Sequence, residues 1–264
     1  MAVETVLITG ASTGIGAELA PLFAQDGFRL VLVARDQEKL AQLAARLETQ
    51  WRASVRVIRK DLAVAGAADE LIAELAGETV DVLVNNAGVA LYGPFTKTDL
   101  ATELRMVQLN VVALTELTKW CLPSMLARRR GRILNVASTA GFQPGPLMAV
   151  YYATKAYVLS FSEAIAAELE GTGVTVTALC PGPTQTEFQR RAGTGRLRVY
   201  GLGIMDAAVV ARAGYEGLRR GKRIVIPGLG NRLAVWLVRV TPRRLVTVIV
   251  KLLQERRDGG VTSR

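Results

Sequence analysis

The chain has 264 residues, of which half are hydrophobic and 21% are charged, a composition that excludes disorder and indicates a globular protein with its own core. It has no histidine and only two cysteines, Cys121 and Cys180, so histidine-based triads, histidine or four-cysteine zinc sites and a disulfide framework are excluded. The net charge of +10 arises in residues 219–264, since residues 1–218 contain equal numbers of basic and acidic side chains.

Short apolar runs alternate with segments of helical spacing along most of the chain. Most of these runs have apolar residues at consecutive positions, which is typical of parallel strands covered on both faces. The runs that we predict as strands are Val6–Thr9, Leu30–Ala34, Val55–Ile58, Val82–Asn85, Ile133–Ala137, Val174–Leu179 and Arg223–Ile226. The alternation favours an α/β fold with a doubly wound, Rossmann-type sheet. We expect one domain over residues 1–228 and a basic, amphipathic helical tail over residues 229–264.

No targeting or membrane-spanning segment is expected. The first apolar run ends at Gly10 and is too short for a signal sequence. The most apolar late stretch, residues 233–253, is interrupted by Arg239, Arg243 and Arg244, which oppose insertion into a bilayer. We therefore expect a cytoplasmic protein that is soluble or attached to a membrane surface.

Glycines recur with the spacing GxxxGxG directly after the first predicted strand, where a helix begins. Glycine lets the backbone turn tightly and approach a pyrophosphate, and a helix N-terminus supplies free N–H groups and partial positive charge. The motif therefore predicts a phosphate-binding turn. The residues that we assign to it are Gly10, Ser12, Thr13, Gly14, Ile15 and Gly16.

The end of the second predicted strand bears on the choice of cofactor. An acidic residue there would bind the ribose hydroxyls and favour NAD. This strand instead ends in Ala34 and Arg35, and a planar guanidinium suits a 2′-phosphate. Asp36 is predicted to cap the following helix. We therefore favour NADP(H) over NAD(H).

Tyr151 and Lys155 lie four residues apart in a predicted helix and therefore share one face. A tyrosine hydroxyl has an ordinary pKa of about 10 and is a weak acid–base catalyst near neutrality, but a fixed ammonium nearby lowers such a pKa. Ser138 follows a predicted strand, at the edge where doubly wound sheets build their sites. We predict that these three residues act on a carbonyl, with no metal.

The chain resembles the single-domain short-chain dehydrogenase/reductase family over about residues 3–225. The motifs that carry the resemblance are Thr9–Gly16, Asp61-Leu62, Asn85-Asn86-Ala87-Gly88, Asn110, Ser138, Tyr151 with Lys155, and Pro181-Gly182. The resemblance implies a seven-stranded parallel sheet in the order 3-2-1-4-5-6-7. It also implies a homodimer or homotetramer that forms through helices near residues 98–127 and 151–170.

The same resemblance implies a role for each matching residue. Tyr151 would be the general acid in reduction and the base in oxidation, and Ser138 would orient the substrate oxygen. Lys155 would bind the nicotinamide ribose and lower the tyrosine pKa, and Asn110 would hold a water in a proton relay. The further cofactor contacts that it implies are Asp61, Leu62, Asn85, Ala87, Gly88, Pro181, Gly182 and Thr184.

The substrate segment and the tail are less defined by sequence. Residues 186–205 contain apolar and basic side chains where the family places a mobile substrate cover, which predicts a hydrophobic substrate with an anionic group. We predict two tail helices, Asn231–Arg239 and Arg243–Arg257. Their role is open among packing on the domain or a second subunit, contact with a membrane surface, and a cover over the substrate. Nucleic acid is not expected, because the tail has one aromatic residue and no binding motif.

The function that we predict is NADP(H)-dependent interconversion of a ketone and a secondary alcohol, on a small molecule that is hydrophobic or acyl-like. Two alternatives stay open at this point. One is a non-catalytic NADP-binding regulatory or scaffold protein, since a fold does not prove an activity. The other is a peripheral membrane protein that is anchored by its basic tail.

Overall fold

Seven parallel strands form the central sheet of the computed structural model, which describes residues 3–194, 197, 198, 201 and 203–255. The strands in chain order are β1 (Thr5–Thr9), β2 (Arg29–Ala34), β3 (Val55–Arg59), β4 (Val82–Asn85), β5 (Gly131–Val136), β6 (Val174–Leu179), β7 (Thr184–Gln185), β8 (Met205–Asp206) and β9 (Ile224–Val225). The order across the sheet is β3-β2-β1-β4-β5-β6-β9, while β7 and β8 form a separate parallel pair. This confirms the predicted order, with β9 as the seventh strand.

Helices connect the strands and cover both faces of the sheet. They are α1 (Gly14–Gln25), α2 (Gln37–Trp51), α3 (Ala67–Glu74), α4 (Leu100–Val107), α5 (Leu114–Ala127), α6 (Ala149–Glu168), α7 (Glu187–Arg191), α8 (Ala207–Arg219), α9 (Leu229–Val240) and α10 (Arg243–Gln254). A π-helical turn at Gln108–Ala113 joins α4 to α5, and a 3-10 turn at Thr139–Phe142 follows β5.

The consecutive apolar residues of the strands are explained by burial on both faces. Within β1, Val6 and Ile8 belong to one buried cluster together with Phe23 of α1. Leu7 belongs to a second cluster on the other face, together with Leu117 of α5. Because neighbouring side chains of a strand point to opposite faces, both sets must be apolar.

The predicted boundaries hold to within one or two residues at most elements. Strand β5 begins at Gly131, two residues before the predicted start, and β9 has two residues where four were predicted. The two predicted tail helices correspond to α9 and α10. The predicted end of the second helix, at Arg257, lies outside the described residues, as do residues 195, 196, 199, 200 and 202 of the predicted substrate segment.

The tail packs against the domain through the inner face of α10. Val246 and Val250 are buried in a cluster that also contains Met148, Tyr151 and Tyr152 at and before the start of α6. The tail therefore covers the domain next to the predicted catalytic tyrosine, while its outward side chains stay exposed. None of the helices in the described ranges has the length and apolar character needed to cross a bilayer.

We expect Gly16→Ala to lower the free energy of unfolding by about 1–3 kcal/mol, because of overpacking. A Cβ atom at Gly16 would lie 2.4 Å from Asn86 Nδ2 and 2.5 Å from the Gly10 carbonyl oxygen. The matched control is Gly230→Ala, where a Cβ atom would meet nothing within 4 Å. Urea unfolding of both variants measures the difference. Equal stability of the two variants would contradict the close packing of Gly16 against Asn86 and Gly10.

Candidate active site

The glycine turn after β1 is held against the loop that follows β4. Gly10 has a φ of +65°, and a Cβ atom there would lie 2.8 Å from the Ala87 Cα atom. The Asn86 side-chain amide donates to the carbonyl oxygens of Thr9 and Gly10, at 3.0 Å each. A side chain at Gly10 would therefore be strained and would separate the two loops.

The turn leads into the N-terminus of α1, which has the properties of an anion site. Thr13 occupies the N-cap position, and its side chain makes no capping hydrogen bond. The first N–H groups of a helix lack partners within the helix, so they and the helix dipole favour a bound phosphate. Gly14, with a φ of +59°, faces the Thr186 side chain, whose Cγ2 atom would lie 3.0 Å from an added Cβ atom.

A cavity of 790 Å³ runs along this edge of the sheet, and we call it the site cavity. It brings together most of the residues that the sequence assigns to catalysis and cofactor binding. The predicted residues that line it are Gly10, Ser12, Thr13, Gly14, Ile15, Arg35, Asp61, Leu62, Ala87, Gly88, Ser138, Tyr151, Lys155, Pro181, Gly182 and Thr184. Gly16, Asn85 and Asn110 are not part of its wall.

Arg35 lies exposed at the end of β2, on the wall of the site cavity. The next residue, Asp36, accepts a hydrogen bond from the Lys39 backbone N–H at 3.1 Å and so caps α2, as predicted. Asp61, at the end of the neighbouring strand, is paired with Arg105 at 2.8 Å. This end of the cavity therefore combines an available guanidinium with a carboxylate whose charge is already balanced.

Ser138, Tyr151 and Lys155 all line the site cavity, near the end of β5 and the start of α6. The Ser138 hydroxyl accepts from the Ala140 N–H at 3.1 Å and donates to the Pro181 carbonyl at 3.3 Å. Lys155 donates from Nζ to the Val136 carbonyl at 2.8 Å, and this Nζ atom lies 5.9 Å from the centre of the Tyr151 ring. Tyr151 and Lys155 are both buried, so the ammonium is fixed beside the tyrosine in a poorly hydrated place.

The Lys155 ammonium is destabilised by its surroundings. Burial lowers the pKa of Lys155 from its usual 10.5 to about 8, because a charge loses hydration in the interior. Removal of the Lys155 proton near neutral pH therefore costs less free energy than it does for an exposed lysine. Such a shifted lysine in the wall of a cavity is typical of a functional site.

Asn110 lies behind the cavity wall, in the π-helical turn. Its side chain accepts from the Val89 N–H and donates to the Val89 carbonyl and the Thr154 hydroxyl, each at 3.0 Å. A Cβ atom built on Gly88 would lie 3.4 Å from Asn110 Oδ1 and 3.5 Å from Lys155 Nζ. Asn110 therefore ties the loop after β4 to α6, on the same side of Gly88 as the lysine.

Asn85 lies inside the sheet and not at the cofactor end of the cavity. Its side-chain amide donates to the Thr118 hydroxyl at 3.0 Å and to Asn135 Oδ1 at 2.9 Å, and Asn135 in turn donates to Ser162. Because alternate residues of a strand point to opposite faces, the next residue, Asn86, is the one that reaches the glycine turn. The sequence motif contains both asparagines, but only Asn86 lines the site cavity, whereas Asn85 is buried in the sheet.

The contacts between the last residue of α10 and the site were not predicted from sequence. Gln254, the last residue of α10, lines the site cavity and hydrogen-bonds through its amide to the Tyr152 hydroxyl. The Gln254 backbone carbonyl accepts from the Tyr92 hydroxyl at 2.8 Å. No local sequence pattern signals these contacts, since they join positions 102 and 162 residues apart.

The fold and this site define a dinucleotide-binding α/β protein with a tyrosine–lysine–serine constellation. A family model described as short chain dehydrogenase matches residues 4–196. The chain belongs to the short-chain dehydrogenase family.

Three known proteins illustrate the similarity. The very-long-chain 3-oxoacyl-CoA reductase of Bos taurus is 33% identical over 191 residues, which are 71% of this chain and 61% of that enzyme's length. A short-chain dehydrogenase from Sphingobium yanoikuyae, solved in complex with NADPH, has a TM-score of 0.81 and 36% identity, with 89% of this chain and 92% of that chain covered. A bulky-bulky ketone specific alcohol dehydrogenase from Comamonas testosteroni has a TM-score of 0.77 and 32% identity, with 91% and 93% covered.

The buried lysine leads to a prediction about stability and pH. Between pH 8 and 10.5 the unfolded chain holds more protons at Lys155 than the folded chain does, so stability from this group rises with pH. Relative to Lys155→Met, the unfolding free energy of the natural protein should increase by up to about 3 kcal/mol across this range.

Urea unfolding of both proteins at several pH values measures this difference. Lys222→Met serves as the control, because the Lys222 side chain is exposed and its charge keeps its hydration in the folded protein. A difference between Lys155→Met and the natural protein that does not change with pH would contradict the assigned cause.

Proposed function

We propose that this protein is an NADP(H)-dependent oxidoreductase that interconverts a ketone and a secondary alcohol. The observation that carries the proposal is that Ser138, Tyr151 and Lys155 line the same cavity as the glycine turn and Arg35. The candidate nucleotide site and the candidate acid–base residues therefore belong to one continuous cavity. NADPH, when bound, supplies a hydride, and the protein aligns the reactants and stabilises the developing charge on oxygen.

The residues present fit a dinucleotide phosphate cofactor. The glycine turn and the N-terminus of α1 would hold the pyrophosphate. Arg35 would bind the 2′-phosphate, and Ala34 before it offers no carboxylate for ribose hydroxyls. The relative from Sphingobium yanoikuyae contains NADPH, which supports the same preference here.

The roles of the chain's own groups follow from their positions. Tyr151 would give its hydroxyl proton to the carbonyl oxygen in reduction and take it back in oxidation. Ser138, already fixed by contacts to Ala140 and Pro181, would hold the same oxygen in place. The Lys155 ammonium would stabilise the tyrosinate, and Asn110 would fix the loop beside it.

The substrate side of the cavity indicates a hydrophobic ketone. The apolar side chains that line it include Val89, Leu91, Met106, Met148, Tyr152 and Phe188. The Phe188 ring lies 5.7 Å from the Tyr151 ring, so the apolar wall reaches the proposed acid. A bulky or acyl-like ketone suits this wall, and the names of the bovine and Comamonas relatives point to the same substrate classes.

The proposed assembly and location rest on two exposed surfaces. Leu100 and Leu104 of α4, with Tyr157 of α6, are exposed large apolar side chains, and they support self-association as a homodimer or homotetramer. The basic, apolar tail supports a peripheral position at a membrane for an otherwise cytoplasmic protein.

Tyr151→Phe should reduce kcat by about 10²–10⁴-fold, because it removes the proton donor while keeping the ring. The test is the rate of NADPH consumption with bulky, acyl-thioester and small ketones. Binding of NADPH should be retained, and Tyr157→Phe on the same helix should be close to the natural protein. A Tyr151→Phe variant that keeps most of its kcat would contradict the mechanism. NADPH binding with no turnover of any ketone by the natural protein would favour a regulatory role.

Arg35→Ala should raise KM for NADPH about 10–100-fold, since it removes a charge-assisted contact to the 2′-phosphate. KM for NADH should change little, because NADH has no such phosphate. Arg59→Ala, an exposed arginine at the end of β3 that does not line the cavity, is the matched control. Steady-state kinetics with both cofactors separates the cases, and equal effects on NADPH and NADH would overturn the assignment.

A further inference from the structure

The two tail helices carry exposed apolar side chains in the same spacing. On α9 these are Leu233, Trp236, Leu237 and Val240, which are 46–59% exposed. This spacing of three, four and seven residues places them on one side of the helix. A surface helix normally directs such a row toward the protein interior, whereas this row stays about half exposed to solvent in the described structure.

Helix α10 repeats this pattern on the side that faces away from the domain. Its exposed apolar residues are Leu245, Val248, Ile249 and Leu252, which are 48–56% exposed. A second side of the helix carries Val246 and Val250, which are buried in one cluster with Tyr151 and Tyr152. Helix α10 is therefore apolar on two sides, and only one of them is covered. We call the exposed apolar residues of α9 and α10 the outer tail face.

The charge around the outer tail face has a single sign. Residues 229–254 contain five basic side chains and no acidic one. All five are exposed, and they are Arg232, Arg239, Arg243, Arg244 and Lys251. A second copy of this chain on the same face would bring two such basic sets together, which opposes self-association there. Apolar side chains flanked by basic ones instead match a surface that has anionic headgroups above hydrocarbon.

We propose that the outer tail face docks onto an anionic lipid bilayer, with α9 and α10 lying in the interface. The apolar residues would enter the boundary between headgroups and acyl chains, and the arginines would contact the anionic headgroups. Helix α10 lines the site cavity through Gln254 and packs beside Tyr151 through Val246 and Val250, so docking places the substrate end of the cavity next to the membrane. This consequence rests on the proposed function, because it assigns lipid-dissolved ketones as the substrates.

The docking itself is tested without any substrate, with the full chain and vesicles of phosphatidylcholine alone or mixed with phosphatidylglycerol. Trp236 is a built-in reporter, because it is 58% exposed whereas Trp51 and Trp120 are partly buried in core clusters. We expect flotation with the mixed vesicles and a blue shift of tryptophan emission. The shift should be absent with phosphatidylcholine alone and in Trp236→Phe.

Substitutions separate the apolar and the electrostatic parts of the contact. Arg243→Glu with Arg244→Glu should weaken vesicle partition about tenfold or more. Ile249→Ser with Leu252→Ser should abolish flotation. The matched control is Val64→Ser with Val209→Ser, which removes two apolar side chains of similar exposure outside the tail and outside the proposed subunit contact, and should leave flotation unchanged. Retained NADPH binding and thermal melting show that each variant is folded.

Three results would overturn the proposal. The first is no flotation of the natural protein with mixed vesicles, and the second is equal flotation of the Ile249→Ser/Leu252→Ser variant. The third is a natural dimer that this variant converts to a monomer in sedimentation, because a second copy would then cover the face. A failure to reduce any ketone would contradict the proposed function alone, and normal reductase activity without vesicle binding would contradict this proposal alone.

Discussion

The close contact between the glycine turn and the loop after β4 is the constraint on which the site depends. It joins β1 and β4, the neighbouring strands at which the strand order reverses. Ligands of doubly wound sheets bind where such a reversal leaves a crevice at the strand ends. Gly10 and Asn86 fix the depth of this crevice, since the turn has a positive φ and the amide bonds both of its carbonyls. This part of the cavity wall is therefore set by the backbone of the glycine turn and by one asparagine side chain.

At the catalytic end of the cavity, the charge that the proposed reaction needs lowers the stability of the fold. Lys155 is buried beside Tyr151 and satisfies a carbonyl of β5, but its charge loses most of its hydration. Asn110 joins the loop after β4 to α6 through two hydrogen bonds to Val89 and one to Thr154, next to the lysine. Hydrogen-bonded neighbours of this kind let a protein hold an energetically unfavourable charge at the position where the reaction needs it.

The sheet and the glycine turn could be predicted from sequence because their signals are local. Consecutive apolar residues identified β1 to β6, and Asp36 was identified as the cap of α2 from its position alone. The π-helical turn around Asn110 could not be predicted, since it depends on contacts with the loop after β4 and with Thr154. Gln254 was missed for the same reason, because its partners come from distant parts of the chain.

The hydrogen bonds of Gln254 to distant residues have a consequence for partial unfolding of the protein. Gln254, the last residue of α10, is hydrogen-bonded to Tyr92 in the loop after β4 and to Tyr152 in α6. Sub-global unfolding of a protein proceeds in cooperative units that follow such contacts. Although the sequence predicts a boundary near Gly228, these contacts lead us to expect that the last helix opens together with the start of α6. The backbone amides of α10 and of the start of α6 would then have similar rates of hydrogen exchange, and a change that slows exchange in one would slow it in the other.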